Sequence, residues 1–189
     1  LDALIVEGLI VKRRGVGTFV SPVQAGVRSV RLTGSLDEFL ASAGALATQV
    51  LSMSEVRAPD EAVRGLQLER ADQVTRLELL NFLDGAPLGY SELYLPLAVG
   101  RKIQPLDVAQ HLPVIRMVEG KLGARVVRAE QFLEAATAGQ AAAKHLGLTQ
   151  ETPVLKVTRI YYDMTGQPIE MIVARNHPER YRYSIDFIA

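Results

Sequence analysis

The chain has 189 residues, 48% hydrophobic and 22% charged, the profile of a globular protein with one good-sized core. It has no cysteine, which excludes a disulfide framework and thiolate metal sites, and its three histidines (His111, His145 and His177) are too scattered for a metal cluster or a catalytic set. Basic and acidic residues balance at 21 each, so the chain as a whole is not an electrostatic nucleic-acid binder. The charge is unevenly placed, however: residues 1–32 hold Lys12, Arg13, Arg14, Arg28 and Arg31 against Asp2 and Glu7. A basic N-terminal strip on a slightly acidic body implies two jobs in one chain. No apolar run approaches the length of a membrane span and no signal-peptide pattern opens the chain, so a cytoplasmic location is expected.

Leu1, Leu4, Ile5 and Gly8 follow the spacing of a helix that ends at a glycine. Without a start signal before Leu1, that helix is expected to begin further upstream. "LIVKRR", "GVG" and "TFV" then predict a short hairpin, with Gly15 and Gly17 at the turn and Lys12, Arg13 and Arg14 beside it. Spacing alone favours an ordinary amphipathic helix packed on a solvated hairpin. The same order also ends a winged helix-turn-helix, whose wing approaches the phosphates or the minor groove. The string "LDALIVEGLIVKRRGVGTFVSP" resembles the C-terminal end of the DNA-binding domain of GntR-type bacterial regulators, matching at Glu7, Gly8, Leu9, Ile10, Gly15, Gly17, Thr18, Phe19 and Val20. The resemblance implies a wing formed by Lys12, Arg13, Arg14, Gly15, Gly17 and Thr18. It also implies that most of the base-reading residues are missing here, so this chain by itself should bind an operator poorly.

"SPVQAGVRSVRL", residues 21–32, has the composition of a connector between domains. "GSLDEFLASAG" predicts a short helix with Ser35 as N-cap, Glu38 three residues later, and Leu36, Phe39 and Leu40 as its apolar stripe. From residue 50 the chain nearly repeats itself. Each copy has a helix end, a leucine pair (Leu66/Leu68 and Leu146/Leu148), a polar loop, a long β-like run, a Gly-x-Pro turn at Gly85 or Gly166, and a returning run. The offset is 80 residues at the leucines and 81 at the turns. Each copy follows another β-like stretch, "TQVLSMSEVRA" or "ARVVRAEQFLEA". The predicted fold is therefore α+β: two strand–helix–hairpin units giving about six antiparallel strands, with helices covering one face. "PVIRMVEGK" adds a helix between the units and "RYSIDFI" a final edge strand. Such pseudo-symmetry leaves a cleft where the halves meet, a common place for ligands, although duplication could equally build only a larger core.

The pattern "V.RLELL..LDGAPL.YSE.YLP" followed by "AAAKHLGL....PVLKVTRIYYD..GQPIE......HPERYRY" resembles the UTRA effector domain, which follows the DNA-binding domain in the HutC-like branch of GntR regulators. The resemblance implies a chorismate-lyase-like fold over residues 33–189, behind a linker at 21–32 and a DNA-binding remnant at 1–20. It also implies where an effector sits. Counting from Pro87, the two arginines that grip phosphorylated sugars in some members fall at Leu79 and Asn81, and a glutamate of the returning strand falls at Ser91. A serine at the start of the middle helix falls near Pro113, and a residue of the first helix near Asp37. The glutamate after the second turn is retained as Glu170, and a tyrosine six residues later becomes Asn176. A phosphate needs charge-assisted donors, whereas Leu79 and Asn81 offer an apolar surface and an amide, and Asp37 repels an anion. A phosphosugar is therefore disfavoured, and a small neutral, cationic or amphipathic metabolite is expected.

Individual residues divide between binding and structural roles. Glu170 reads as a ligand acceptor or as a solvated residue beside a turn. Asn81 shares a strand face with Leu77 and Leu79, and as a buried amide it needs partners in either ligand or backbone. Tyr161 and Tyr162 read as sheet packing, Arg180 and Tyr181 as anchors of the last strand, and the histidines as surface or capping residues. No nucleophile–base constellation is present, and "GVGTFV" leads into a strand rather than a helix, so it is no phosphate loop. The leading expectation is a ligand-responsive regulator, a repressor working as a homodimer, with no cofactor and no metal. The alternatives are an enzyme of the chorismate-lyase type acting on a small aromatic or enolpyruvyl acid, and a plain dimerisation module.

Overall fold

In the computed structural model the described residues are 10–13, 17–20, 28–31, 36–37, 40, 46–105, 113–123 and 125–184. The first unit comprises β4 (Ala47–Arg57), α1 (Asp60–Gly65), β5 (Gln73–Leu83) and β6 (Ala86–Pro96), followed by the short α2 (Leu97–Gly100). After α3 (Val114–Leu122) the second unit repeats the order with β7 (Val126–Thr137), α4 (Gly139–Leu146), β8 (Pro153–Asp163) and β9 (Pro168–Asn176). These strands form one sheet in the order β4-β5-β6-β9-β8-β7, every pair antiparallel. The two hairpins meet at β6–β9. None of the described helices is long and apolar enough to cross a membrane.

Turn chemistry fixes the registers. Asp84 and Gly85 both take positive φ (50° and 78°), the two-residue turn that suits a twisted hairpin, and Leu83 faces Ala86. In the second hairpin Gly166 has φ 80°, and the Asp163 carboxylate accepts the backbone N–H groups of Thr165 and Gln167. The helix ends also correspond. Gly147 takes φ 70° after α4, while Gln67 occupies the equivalent place after α1 with φ 55°.

Helices cover both faces of the sheet, not one. Helices α1 and α4 lie on one face, over Val74, Tyr94, Ile160, Met171 and Val173 and over Leu80, Tyr90 and Val154 respectively. The opposite face carries Leu77, Leu79, Leu93, Leu95, Tyr161 and Ile169, packed under Leu40, Val99, Ile103 and the buried side of α3. The reason is visible on β5, where both parities are apolar: Val74 and Leu80 point one way, Leu77 and Leu79 the other. Between the helices, the first face carries a charged seam in which Glu78 accepts Ser52 and Tyr90, and Arg76 and Arg175 flank Glu92.

The last predicted strand is a correction. It forms as β10 (Tyr181–Ser184), which pairs in parallel with β3 (Arg28–Arg31) in a separate two-stranded sheet instead of edging the main one. Its partner lies inside the segment read from composition as a connector. The N-terminal hairpin forms from β1 (Ile10–Arg13) and β2 (Gly17–Val20), with Lys12 opposite Thr18 and Arg13 opposite Gly17. Arg14, Gly15, the helix ending at Gly8 and the cap residue Ser35 lie outside the described residues.

Candidate effector site

Strand alternation places five of the six expected effector residues on the α3 side of the sheet. Leu79 on β5 faces Ser91 on β6, which faces Ala174 on β9. One row further toward the first turn, Thr48, Asn81, Gly89, Asn176 and Leu155 lie across five successive strands. Ser91 and Asn176 are buried, Asn81 half-buried, and Leu79 is part of the apolar wall beneath them. Asn81 accepts a hydrogen bond from Thr48 Oγ1 at 2.8 Å and donates to Ser91 Oγ at 3.4 Å. The Asn176 amide donates to the Leu155 carbonyl at 3.2 Å. Gly89 sits between the two amides, and a Cβ added there would lie 2.8 Å from Asn176 Oδ1. The missing side chain thus leaves room for the Asn176 amide to pack closely against this strand.

Glu170 belongs to a second cluster near the other end of the same face. It lies opposite Tyr161, four residues from Ala174 along β9, or about 13 Å at a rise of ~3.3 Å per residue. The reading of Glu170 as a solvated turn residue is corrected: it is 2% exposed, and its Oε2 has no hydrogen-bond partner. Burial pushes its carboxyl up to about 8, with Arg159 pulling the other way, so at neutral pH it is mostly protonated. Arg159 grips Gln131 Oε1 through Nε at 2.7 Å and through its terminal nitrogen, and donates to the Tyr161 hydroxyl at 3.1 Å. Gln131 in turn donates to Tyr183 at 2.8 Å, tying β10 to β7. A phosphate entering here would have to take Arg159 from these partners.

The sequence reading missed Thr48 and the Arg159–Gln131–Tyr183 network. A signal for it existed, since the repeat offset of 80 carries Leu79 onto Arg159 and Asn81 onto Tyr161. The two polar clusters are therefore counterparts in the two units, at opposite ends of one face.

Asp37 does not join the set. It is exposed and ion-paired to Arg116 of α3, whose other nitrogen holds Glu119 at 2.6 Å, and the pairing lowers its carboxyl pKa. Pro113 is the residue that precedes α3, at its N-cap position. Tyr161 and Tyr162 are buried in the sheet, and Arg180 donates to the Pro87 carbonyl at 2.9 Å, anchoring the approach to β10. His177 is buried and accepts the Glu179 N–H in a turn, and the half-buried His145, in the last turn of α4, stacks its ring on Tyr90 at 5.6 Å. His111 lies outside the described residues. Among the described residues no group of three or more His, Asp or Glu could hold a metal ion. A groove of about 580 Å³ opens on the opposite face between α1 and β7, lined by Glu61, Arg64, Phe132, Ile160 and Met171 among others, and none of the expected site residues lines it.

Of the wing residues, Lys12, Arg13, Gly17 and Thr18 fall on the paired strands β1 and β2, and Gly17 and Thr18 are exposed. Gly17 has φ 132°, a conformation side chains rarely adopt.

The chain is similar to proteins of known type. The HTH-type transcriptional regulator Rv0792c of Mycobacterium tuberculosis is 34% identical over 187 residues, covering 95% of this chain and 66% of that protein. The histidine utilization repressor of Pseudomonas putida is 23% identical over 159 residues, 84% of this chain and 63% of the repressor. The chain thus spans about two thirds of the length of these relatives. The ligand-binding domain of a Bordetella bronchiseptica regulator assigned to the GntR family superposes with a TM-score of 0.67 at 26% identity, covering 76% of this chain and 91% of the other. Family and relatives point to transcription regulation and not to catalysis, which removes the support for a lyase. The model of the UTRA domain matches residues 42–182, spanning both units, and the chain belongs to the UTRA domain family.

Proposed function

We propose that this chain is the effector-sensing part of a dimeric, ligand-responsive transcription repressor, and that its effector lies over the sheet face bearing Leu79, Asn81, Ser91, Glu170 and Asn176. The single observation that carries the reading is the pair of counterpart polar clusters on that face, one built from Asn81, Ser91 and Asn176 beside Gly89 and the other around a buried carboxyl whose Oε2 has no hydrogen-bond partner. Buried polar groups are normally satisfied, and a ligand reaching Glu170 would supply the partner that its Oε2 lacks.

The same chemistry selects the effector class. The Asn81 end offers amides and a hydroxyl, and the Glu170 end a carboxyl that a cationic group would convert to its ionised form. A small neutral, cationic or amphipathic metabolite fits, and a phosphosugar does not. In the whole protein the β1–β2 hairpin, with Lys12, Arg13, Arg14, Gly15, Gly17 and Thr18, is the wing of a DNA-binding domain ending near residue 20. Residues 21–32 transmit the difference between bound and free states from the domain at 33–189, which requires the effector to prefer one arrangement of the pair. The paired recognition elements of a homodimer would match two operator half-sites.

Calorimetric titration of the chain with two metabolite sets tests this. One set holds sugar phosphates; the other holds unphosphorylated amines, amides and hydroxy compounds. Binding confined to the second set, and lost in Asn81→Leu, is the expected result. Tight capture of a sugar phosphate would refute the effector class, and turnover of any compound would refute the regulator.

A further inference from the structure

The groove of about 580 Å³ between α1 and β7 lies on the face opposite Asn81 and Glu170, and the internal repeat says what kind of group suits it. The repeat matches its lining, residue by residue, to a place in the first unit: Phe132 to Ser52, Thr158 to Glu78, Met171 to Tyr90 and Gly65 to His145. In the first unit the chain fills this place with its own groups. Glu78 accepts the hydroxyls of Ser52 and Tyr90, and the His145 ring lies parallel to that of Tyr90, 5.6 Å away. In the second unit a threonine, a methionine and a glycine stand where the first has the carboxylate, the phenol and the imidazole, and the groove stays open. Gly65 lets α1 lie close to the sheet, since a Cβ there would fall 2.4 Å from Met171 Sδ. Two copies of one frame thus differ by aromatic rings and a carboxylate.

The lining supplies complementary chemistry for those groups. The floor is apolar, with Met171 at 1% and Ile160 at 7% exposure, while Phe132 stands at the wall 51% exposed. An exposed phenylalanine beside a thioether suits a second ring, through ring-edge and sulfur–aromatic contacts. The charges select what the ring carries. Lys156 Nζ holds both lining carboxylates, Glu61 at 2.6 Å and Glu134 at 3.4 Å. That leaves Arg64 as the lining charge with no ion-pair partner among the described residues. A guanidinium presents a carboxylate with parallel N–H donors, a charge-assisted contact that fixes orientation as well as affinity.

We propose that this groove is a second small-molecule site, taking an aromatic monocarboxylate with its ring between Phe132 and Met171 and its carboxylate on Arg64. The site lies across the sheet from the effector face, so it stands whichever compound occupies that face. It would give the domain an input of different charge from the neutral or cationic one read at Asn81 and Glu170.

Chemical-shift titration of the chain with 3-phenylpropionate, 3-phenylpropionamide, 3-phenylpropylamine and propionate tests this. Phenylpropionate should bind, shifting resonances of α1, β7 and β8. Its amide and amine lack the charge-assisted contact and should bind roughly tenfold more weakly or worse. Propionate has no ring and should not bind. Arg64 and Phe132 are exposed, so their variants should stay folded. Arg64→Gln should weaken phenylpropionate by roughly tenfold, and Phe132→Ser, which copies the first unit, should weaken it several-fold. Equal affinity for the acid and the amine, or affinity unchanged in Arg64→Gln, overturns the assignment. So does binding of the acid that Asn81→Leu abolishes, which would place the compound on the effector face. Absence of binding by all of these probes overturns the second site and leaves the effector face untouched.

Discussion

Replacing Glu170 with glutamine should make the protein more stable at neutral pH and flatten its dependence on pH. The carboxyl is 2% exposed, and its pKa is pushed from the ordinary 4.5 up to about 8 by burial. The folded state therefore keeps a proton that the unfolded chain releases once the pH passes the unfolded value. The stability this proton confers is complete below about 4.5 and is lost progressively as the pH rises through 8. At about 1.4 kcal/mol per pKa unit the whole loss is on the order of 4–5 kcal/mol, with about 3 already gone at pH 7. Glutamine has nearly the same volume and does not titrate, so Glu170→Gln should exceed wild type by up to about 3 kcal/mol at pH 7 and by little at pH 5. Urea unfolding of both proteins at pH 5, 7 and 8.5 measures this. The difference between them cancels other titrating groups, including His177, whose burial lowers its pKa and gives a stability lost in the opposite direction, as the pH falls. Parallel stability profiles for the two proteins would refute the buried-carboxyl argument.

The two units should respond in opposite ways at their matched helix ends. Gln67→Gly relieves a positive φ and should raise stability by about 0.5–1 kcal/mol, whereas Gly147→Gln imposes one and should lower it by about 1 kcal/mol, both read from chemical denaturation. Gly100→Ala drives a Cβ to within 2.0 Å of Thr75 Oγ1 and should cost about 1–3 kcal/mol, visible as a lower melting temperature. Gly89→Ala presses on Asn176 Oδ1 at 2.8 Å, so it should weaken binding of whichever metabolite the titration identifies several-fold more than it lowers stability. Equal losses would assign Gly89 to packing alone.

The architecture was legible because the chain states it twice. The leucines at 66/68 and 146/148 and the turns at Gly85 and Gly166 locate the helix ends and hairpins of both units, and the sheet order follows from joining them at β6–β9. Coverage of both faces was harder to read. In "VTRLELLNF", Leu77 and Leu79 alternate with Arg76 and Glu78, but Leu80 belongs to the other face, and only the packing under α4 reveals it. The parallel pairing of β10 with β3 joins residues 153 positions apart (Tyr181 and Arg28, 181 − 28), and nothing local in "RSVR" announces a partner. At the candidate site, the resemblance names Asn81, Ser91, Asn176 and Glu170, and the sheet register brings them to one face. Asp37, which the resemblance also names, stands apart from them on the surface, ion-paired to Arg116. Arg159 and Gln131 escaped because their contact joins β7 and β8 across 28 positions, although the repeat offset pointed to the first of them.

A crystal structure of the chain with a metabolite bound tests the central claim most directly. Density should lie on the α3 side of the sheet, in contact with Asn81, Ser91 or Asn176, and with Glu170 Oε2 hydrogen-bonded at last. Density confined to the opposite groove, beside Glu61, Phe132 and Ile160, would contradict it.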